Sequence, residues 1–158
     1  MFGMKYTIRL ANMVDKEQIL KIWNDKKNKP NLSIPFNCEI DKCINQHRMY
    51  VVVLKDDIIG FGAYQIMKKE PEIRIKHLCV DEKYRRNGVA INIIFRIATD
   101  LIDIDLPLVA ICRDGADNNN FYEKYKKENY TTVSRKTLNC RRYVMDKDKI
   151  MEMCDNGI

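Results

Sequence analysis

Hydrophobic and polar positions along this chain change period often enough to mark out its elements one by one. Tyr6 to Leu10 alternates with the period of a strand that has one buried face. Asp15-x-x-Gln18 has the form of a capping box, and Ile19, Leu20, Ile22 and Trp23 behind it follow helical spacing. Between Lys26 and Pro35 the pattern breaks. Pro30, Asn31, Ser33 and Pro35 punctuate a loop whose Leu32, Ile34 and Phe36 are apolar, so the loop is expected to fold over something. A short helix from Glu39 to Gln46 comes next.

Met49 to Leu54 is an uninterrupted apolar strand, Lys55-Asp56-Asp57 is a turn, and Ile58 to Met67 returns as its hairpin partner. Gly60 and Gly62 mark close approach of the backbone to a neighbour. Lys69, Glu70 and Pro71 turn the chain into a strand over 72–80, in which Ile73, Arg74, Ile75 and Lys76 alternate before Leu78, Cys79 and Val80 enter a core. From Val89 the apolar positions 91, 94, 95, 98, 101 and 102 keep helical spacing, and Leu106 to Cys112 is again a strand. Strand, helix, strand implies that 75–80 and 108–112 are parallel neighbours joined by a crossover. Asp117 or Asn118 caps a helix over 120–128, and two strands, 130–134 and 142–145, close the pattern.

Composition bounds the class. A chain of 158 residues, 46% hydrophobic and 32% charged, fits one domain over 1–158 with a real core. No apolar run approaches a membrane span of about 18 residues, and no repeat is visible. Met1 to Lys5 lacks the apolar stretch of a secretory signal, so a cytoplasmic location and no membrane partner are expected. Cys38, Cys43, Cys79, Cys112, Cys140 and Cys154 are scattered without a C-x-x-C pair, which favours reduced thiols and no metal site. A net charge of +6 favours anionic partners: cofactor phosphates, nucleic acid, or only solvent ions.

The chemistry concentrates after Val80. Arg85, Arg86, Asn87, Gly88, Val89 and Ala90 supply two cations, a residue tolerant of positive φ, a glycine, and the start of a helix. Backbone N–H groups at such a start point outward with the positive end of the helix dipole behind them, a cradle that suits a pyrophosphate. A Walker A loop and a three-glycine dinucleotide fingerprint are both absent.

Arg85-x-x-Gly88-x-Ala90 after a strand resembles motif A of the GNAT N-acetyltransferase superfamily, [QR]-x-x-G-x-[GA]. Downstream, N-N-N-F-Y-E-K-Y-K-K-E-N-Y from Asn118 resembles that family's N-x-x-A-x-x-x-Y-E-K-x-G-F segment, with Asn118 at the asparagine, Tyr125 at the tyrosine and Tyr130 at the last aromatic. Phe121 stands where the family has a small residue, and Asn129 stands at the glycine, where it tolerates the left-handed conformation.

The resemblance implies an α/β (α+β) fold: a mixed, mostly antiparallel sheet of about six or seven strands, about four helices, and a parallel pair splayed at an acetyl-CoA site. It implies that pantetheine pairs with Leu78, Cys79 and Val80, with an N–H near Cys79 polarising the acetyl carbonyl, and that the diphosphate lies on residues 85–90. Asn118 and Tyr125 complete that site. Acetyl-CoA is then the cosubstrate and an amine the acceptor, whether a small amine, a protein amine or an aminoacyl-tRNA, taken up by a monomer or homodimer. The loop 27–37 and the second helix would shape the acceptor cleft.

Neutralising a lysine-like amine of pKa about 10.4 at pH 7 costs about 4.6 kcal/mol, against about 1 for an α-amine near 7.8, so a base matters more for the first. Many relatives carry a Glu on the central strand for this, and the matching position here is Arg74. Glu72 and His77 are the substitutes. Tyr125, with Tyr122 as fallback, is the candidate to protonate the leaving thiolate, since a phenol is a donor at neutral pH. Arg74 and Lys76 point to an acidic or phosphorylated acceptor. A non-catalytic acyl-CoA- or nucleic-acid-binding module on the same fold is the alternative.

Overall fold

The computed structural model describes residues 4–25, 37–116, 118–135 and 138–155. Its elements run β1 (Thr7–Leu10), α1 (Lys16–Asn24), α2 (Asn37–Asn45), β2 (Met49–Leu54), β3 (Asp57–Met67), β4 (Glu72–Val80), α3 (Val89–Asp100), β5 (Leu108–Arg113), α4 (Asn118–Tyr125), β6 (Thr131–Arg135), β7 (Leu138–Val144) and α5 (Lys147–Asp155). Seven strands form one sheet in the order β1-β2-β3-β4-β5-β7-β6, and all pair antiparallel except β4 with β5. The fold expected from the resemblance is the one observed. The 27–36 part of the loop assigned to the acceptor cleft lies outside the described residues.

Helices cover both faces, which is why the central strands are apolar without alternation. Met49, Tyr50, Val51 and Val52 of β2 are all buried. On one face Ile19, Ile22 and Trp23 of α1 and Ile40, Cys43 and Ile44 of α2 pack on Val51, Phe61 and Cys79, with the Trp23 and Phe61 rings stacked at 5.8 Å. On the other, α3 inserts Ile93, Ile94 and Ile97 among Val52, Ile59, Ile73 and Ile75, joined by Tyr122 of α4 and Ile150 of α5. Gly62 makes the closest part of that seam: a Cβ there would lie 2.5 Å from Ile93 Cγ2.

A bulge decides which β4 side chain meets which face. Against β3, Ala63 pairs with His77 and Tyr64 with Ile75, so Lys76 is the extra residue. Before it, Ile73 and Ile75 join the α3 core; after it, Leu78 and Val80 do, while His77 and Cys79 turn to α1 and α2. Simple alternation across 72–80 does not reveal this switch.

Several boundaries differ from the sequence pattern for local reasons. The capping box sits one turn earlier than expected: Asn12 Oδ1 accepts from Val14 N, and Asp15 Oδ2 accepts from Asn12 N at 2.9 Å. Gln18 instead ties α1 to the sheet by accepting from Ile58 N at 3.0 Å. Helix α4 stops at Tyr125 rather than 128 because the next residues pair with β7, where Lys127 N donates to Val144 O at 2.8 Å. Asn129 is not among the residues with left-handed φ. Helix α5, absent from the sequence pattern, is capped by Asp146, whose Oδ1 accepts from Lys149 N at 3.0 Å, and is anchored by the fully buried Ile150.

Candidate active site

Strands β4 and β5 run side by side only from Ile73 to Ile75, opposite Leu108 to Ala110, and then part. Beyond Ile75, β4 keeps its β3 partner through Val80 but pairs with no strand on its other edge among the described residues. Which groups face the gap follows from the ladder. Asp81 N donates to Ile59 O at 2.8 Å, so Val80 opposite Gly60 is a non-hydrogen-bonded position, and so is Leu78 opposite Gly62. The N–H and C=O of Leu78 and Val80 therefore point into the gap, while those of Cys79 face β3. The N–H of Cys79 itself is therefore turned away from the gap, and those of its neighbours face it.

At the end of this edge the chain turns through 85–88 into α3. Arg86 has φ 66° and Gly88 has φ 74°, two left-handed residues either side of Asn87. A side chain at such φ costs about 1–2 kcal/mol, which only glycine escapes. Asn87 braces the turn, its Nδ2 donating to Tyr84 O at 3.1 Å and Arg85 O at 3.0 Å. Arg85 folds back, its Nε donating to Val80 O at 3.1 Å, so one carbonyl of the open edge is already satisfied. With Gly88 as N-cap, α3 has no side-chain cap and no acidic residue in its first turn. The N–H groups of Val89, Ala90 and Ile91 are left without intrahelical acceptors at the positive end of the dipole.

The third wall is α4. A cavity of about 650 Å³ is lined by Leu78, Cys79 and Val80, by Arg85, Arg86, Gly88, Val89 and Ala90, and by Asn118 and Tyr125. Of the residues picked from sequence for the cofactor, only Asn87 does not line it. Tyr84, Ile91, Phe121, Tyr122 and Lys124 line it as well; of these the sequence marks Tyr122 as a catalytic fallback and Phe121 as a departure from the family pattern, but none as a cofactor contact. Asn119 holds this wall: its Nδ2 donates to Arg113 O and Ala116 O, both at 3.0 Å, and its Oδ1 accepts from Tyr143 OH at 3.0 Å. Tyr122 is buried, stacked on Tyr143 at 5.6 Å, and burial raises its phenol pKa; Tyr125 is the less enclosed of the two.

An acetyltransferase (GNAT) domain model matches residues 45–126, which carry the open edge, the turn and α4. The chain belongs to the GNAT acetyltransferase family. Among curated proteins no sequence matches it. Solved structures share the fold at low identity. N-acetylglutamate synthase from Neisseria gonorrhoeae, complexed with coenzyme A and N-acetyl-glutamate, superposes with a TM-score of 0.71 at 12% identity over 92% of this chain; the chain spans 36% of that protein. Ard1 from Thermoplasma volcanium gives 0.69 at 18% identity, covering 89% of this chain and 99% of that one. PaiA N-acetyltransferase from Thermoplasma acidophilum, in complex with coenzyme A, gives 0.65 at 10% identity, covering 89% and 99%.

Where this GNAT domain departs from the family pattern, the structure gives the local consequence. Phe121 fills the space of a small residue and packs against the Tyr122 and Tyr125 rings at 5.1 and 5.2 Å. Glu72 is neither a surface charge nor a cavity-lining group. It is 1% exposed at the start of β4, where Oε2 accepts from Arg74 Nε and Oε1 from Arg142 Nη2, both at 3.0 Å. His77 is buried against the Trp23 ring at 5.1 Å, with Nε2 3.2 Å from Glu39 Oε1. A carboxylate can only accept, so Nε2 carries the proton. Glu39 escaped notice in the sequence because only α2 packing on β4 brings it there.

Removing one partner of a buried ion pair strands the others. Glu72→Ala is therefore expected to lower unfolding free energy by about 3–5 kcal/mol, whereas a solvated charge would change it by less than about 1; urea denaturation decides. Burial pushes the His77 pKa below its ordinary 6.5 against the opposing pull of Glu39. The unfolded chain then binds the proton more readily than the folded one, so stability is full above pH 6.5 and falls as pH drops below it. Urea midpoints measured from pH 7.5 to 5 should show that decline, and His77→Phe should flatten it.

Proposed function

We propose that this chain is an acetyl-CoA-dependent N-acetyltransferase, one domain over residues 1–158, in which an amine attacks the thioester directly within a ternary complex. The observation that carries this is the junction in one cavity of two sets of backbone N–H donors: those of the Leu78–Val80 edge and those of the uncapped α3 N-terminus. A diphosphate on the N–H groups of Val89 and Ala90 sets the start of the pantetheine arm. Pantetheine amides then pair along β4 as an added strand. The thioester arrives where β4 and β5 part, and the N–H of Leu78 or Val80 donates to its carbonyl oxygen as that oxygen becomes an oxyanion.

The nitrogen lone pair forms the new C–N bond, the C–S bond breaks, and the thiolate takes a proton from Tyr125 on the cavity wall. A covalent acyl-enzyme through Cys79 is disfavoured: its side chain turns to α1 and α2, away from α3, and burial pushes its thiol up to about 12, so it stays protonated. The family's coenzyme A complexes support the cosubstrate, and one of them holds an acetylated product beside coenzyme A. His77, with Glu39, lies on the opposite face of β4 from α3 and is the basic group on the acceptor side. Glu72, held by two guanidinium groups, shapes that side without taking the proton.

A non-catalytic acyl-CoA-binding module would use the same cradle, and the clamped Glu72 is the feature on its side. Thiol release from acetyl-CoA across a panel of amines separates the two. Transfer predicts free coenzyme A with a suitable amine, reduced at least about tenfold in kcat by Tyr125→Phe and preserved in Cys79→Ala. No thiol with any amine, together with tight coenzyme A binding, would establish the module instead.

A further inference from the structure

On the face of β4 away from α3, cations outnumber the carboxylates that could neutralise them. Arg74 and Arg142 share one carboxylate, Glu72, through opposite oxygens. Arg142 Nε is inaccessible to solvent and has no hydrogen-bond acceptor among the described residues. Lys76, the bulge residue, has no carboxylate within 4.0 Å among the described residues. Glu39 is the carboxylate nearest in kind, and its Oε1 is engaged with His77. Residues 26–36 and 136–137 contain lysines and no aspartate or glutamate.

Position gives this excess a meaning. Lys76 is the first β4 residue after Ile75, where pairing to β5 ends, so its backbone stands where the gap opens, and Arg74, Arg135 and Glu39 are the charged groups that act on its ammonium. We infer that Arg74, Lys76 and Arg142 form a binding pocket for an anionic group, carboxylate or phosphate, carried by the amine acceptor. The inference rests on the acetyltransferase reading, and it names the class of acceptor: an amine with an acid group close enough to lie on β4 while its nitrogen enters the gap. Burial, Arg135 at the end of β6, and Arg74 all lower the Lys76 pKa, while only Glu39 and Cys43 oppose them. An incoming anion reverses that imbalance. A carboxylate or phosphate matches a guanidinium fork better than a neutral hydroxyl does.

The test is calorimetry in two stages, so that the two claims fail separately. Coenzyme A is titrated first; no heat there refutes the acetyltransferase reading. Inorganic phosphate and succinate are then titrated into the protein, both saturated with coenzyme A and free of it. The pocket predicts binding of at least one anion to the saturated protein, weakened at least tenfold by Lys76→Gln and several-fold by the exposed Arg135→Gln, with coenzyme A affinity unchanged. Tighter phosphate indicates a phosphorylated amine, and tighter succinate indicates an amino acid or acidic peptide end. Lys69→Gln, in the β3–β4 turn, removes the same charge elsewhere and should have no effect. Absence of anion binding, equal affinity in Lys76→Gln, or an equal loss in Lys69→Gln overturns the inference. In turnover, Lys76→Gln should raise the acceptor KM and leave the acetyl-CoA KM alone.

Discussion

The structure depends on a strand that loses a partner halfway along. β4 is held by β3 over its whole length and by β5 for three residues, after which β5 continues against β7 alone. Backbone groups left unpaired in a protein interior cost about 1–3 kcal/mol each, so such an edge persists only if something else satisfies it. Arg85 returns to cap Val80 O, and the rest of the edge faces the cavity. The β4–α3–β5 crossover adds the second constraint, because it starts α3 at the end of the same edge with its first N–H groups uncapped.

The bulge at Lys76 divides labour between the two faces. Leu78 and Val80 serve the α3 side, whose cavity suits a cofactor, while His77 and Cys79 face α1 and α2. One strand therefore reaches two chemically different environments within five residues. The α3 side offers main-chain donors; the opposite side offers Arg74, Lys76, Arg142, His77 and Glu39. Acetyl transfer, on the proposed reading, happens where those environments meet.

Much of this was legible in the sequence, and the legible part is local. Glu72–Val80 and the start of α3 at Val89 fall where alternation and the Arg85-x-x-Gly88 turn put them, because a strand entering a core and a glycine-headed helix write their signals in adjacent residues. Asn118 and Tyr125 could be paired because one helix carries both. What sequence could not supply was contact between distant segments. The Glu72 clamp needs Arg142, seventy positions away, and the His77 partner needs Glu39, thirty-eight away. The bulge is invisible because it is defined by β3 across the ladder, and α5 is faint because charged residues surround its anchor, Ile150.

The central claim is that the open β4 edge and the α3 N-terminus together receive coenzyme A. Residue-resolved amide hydrogen exchange with and without coenzyme A tests it most directly. Exchange should slow at Leu78 or Val80 and at Val89 and Ala90, and stay unchanged at Cys79, whose N–H already faces β3. Slowing confined to other elements, with these four amides unaffected, would contradict the account.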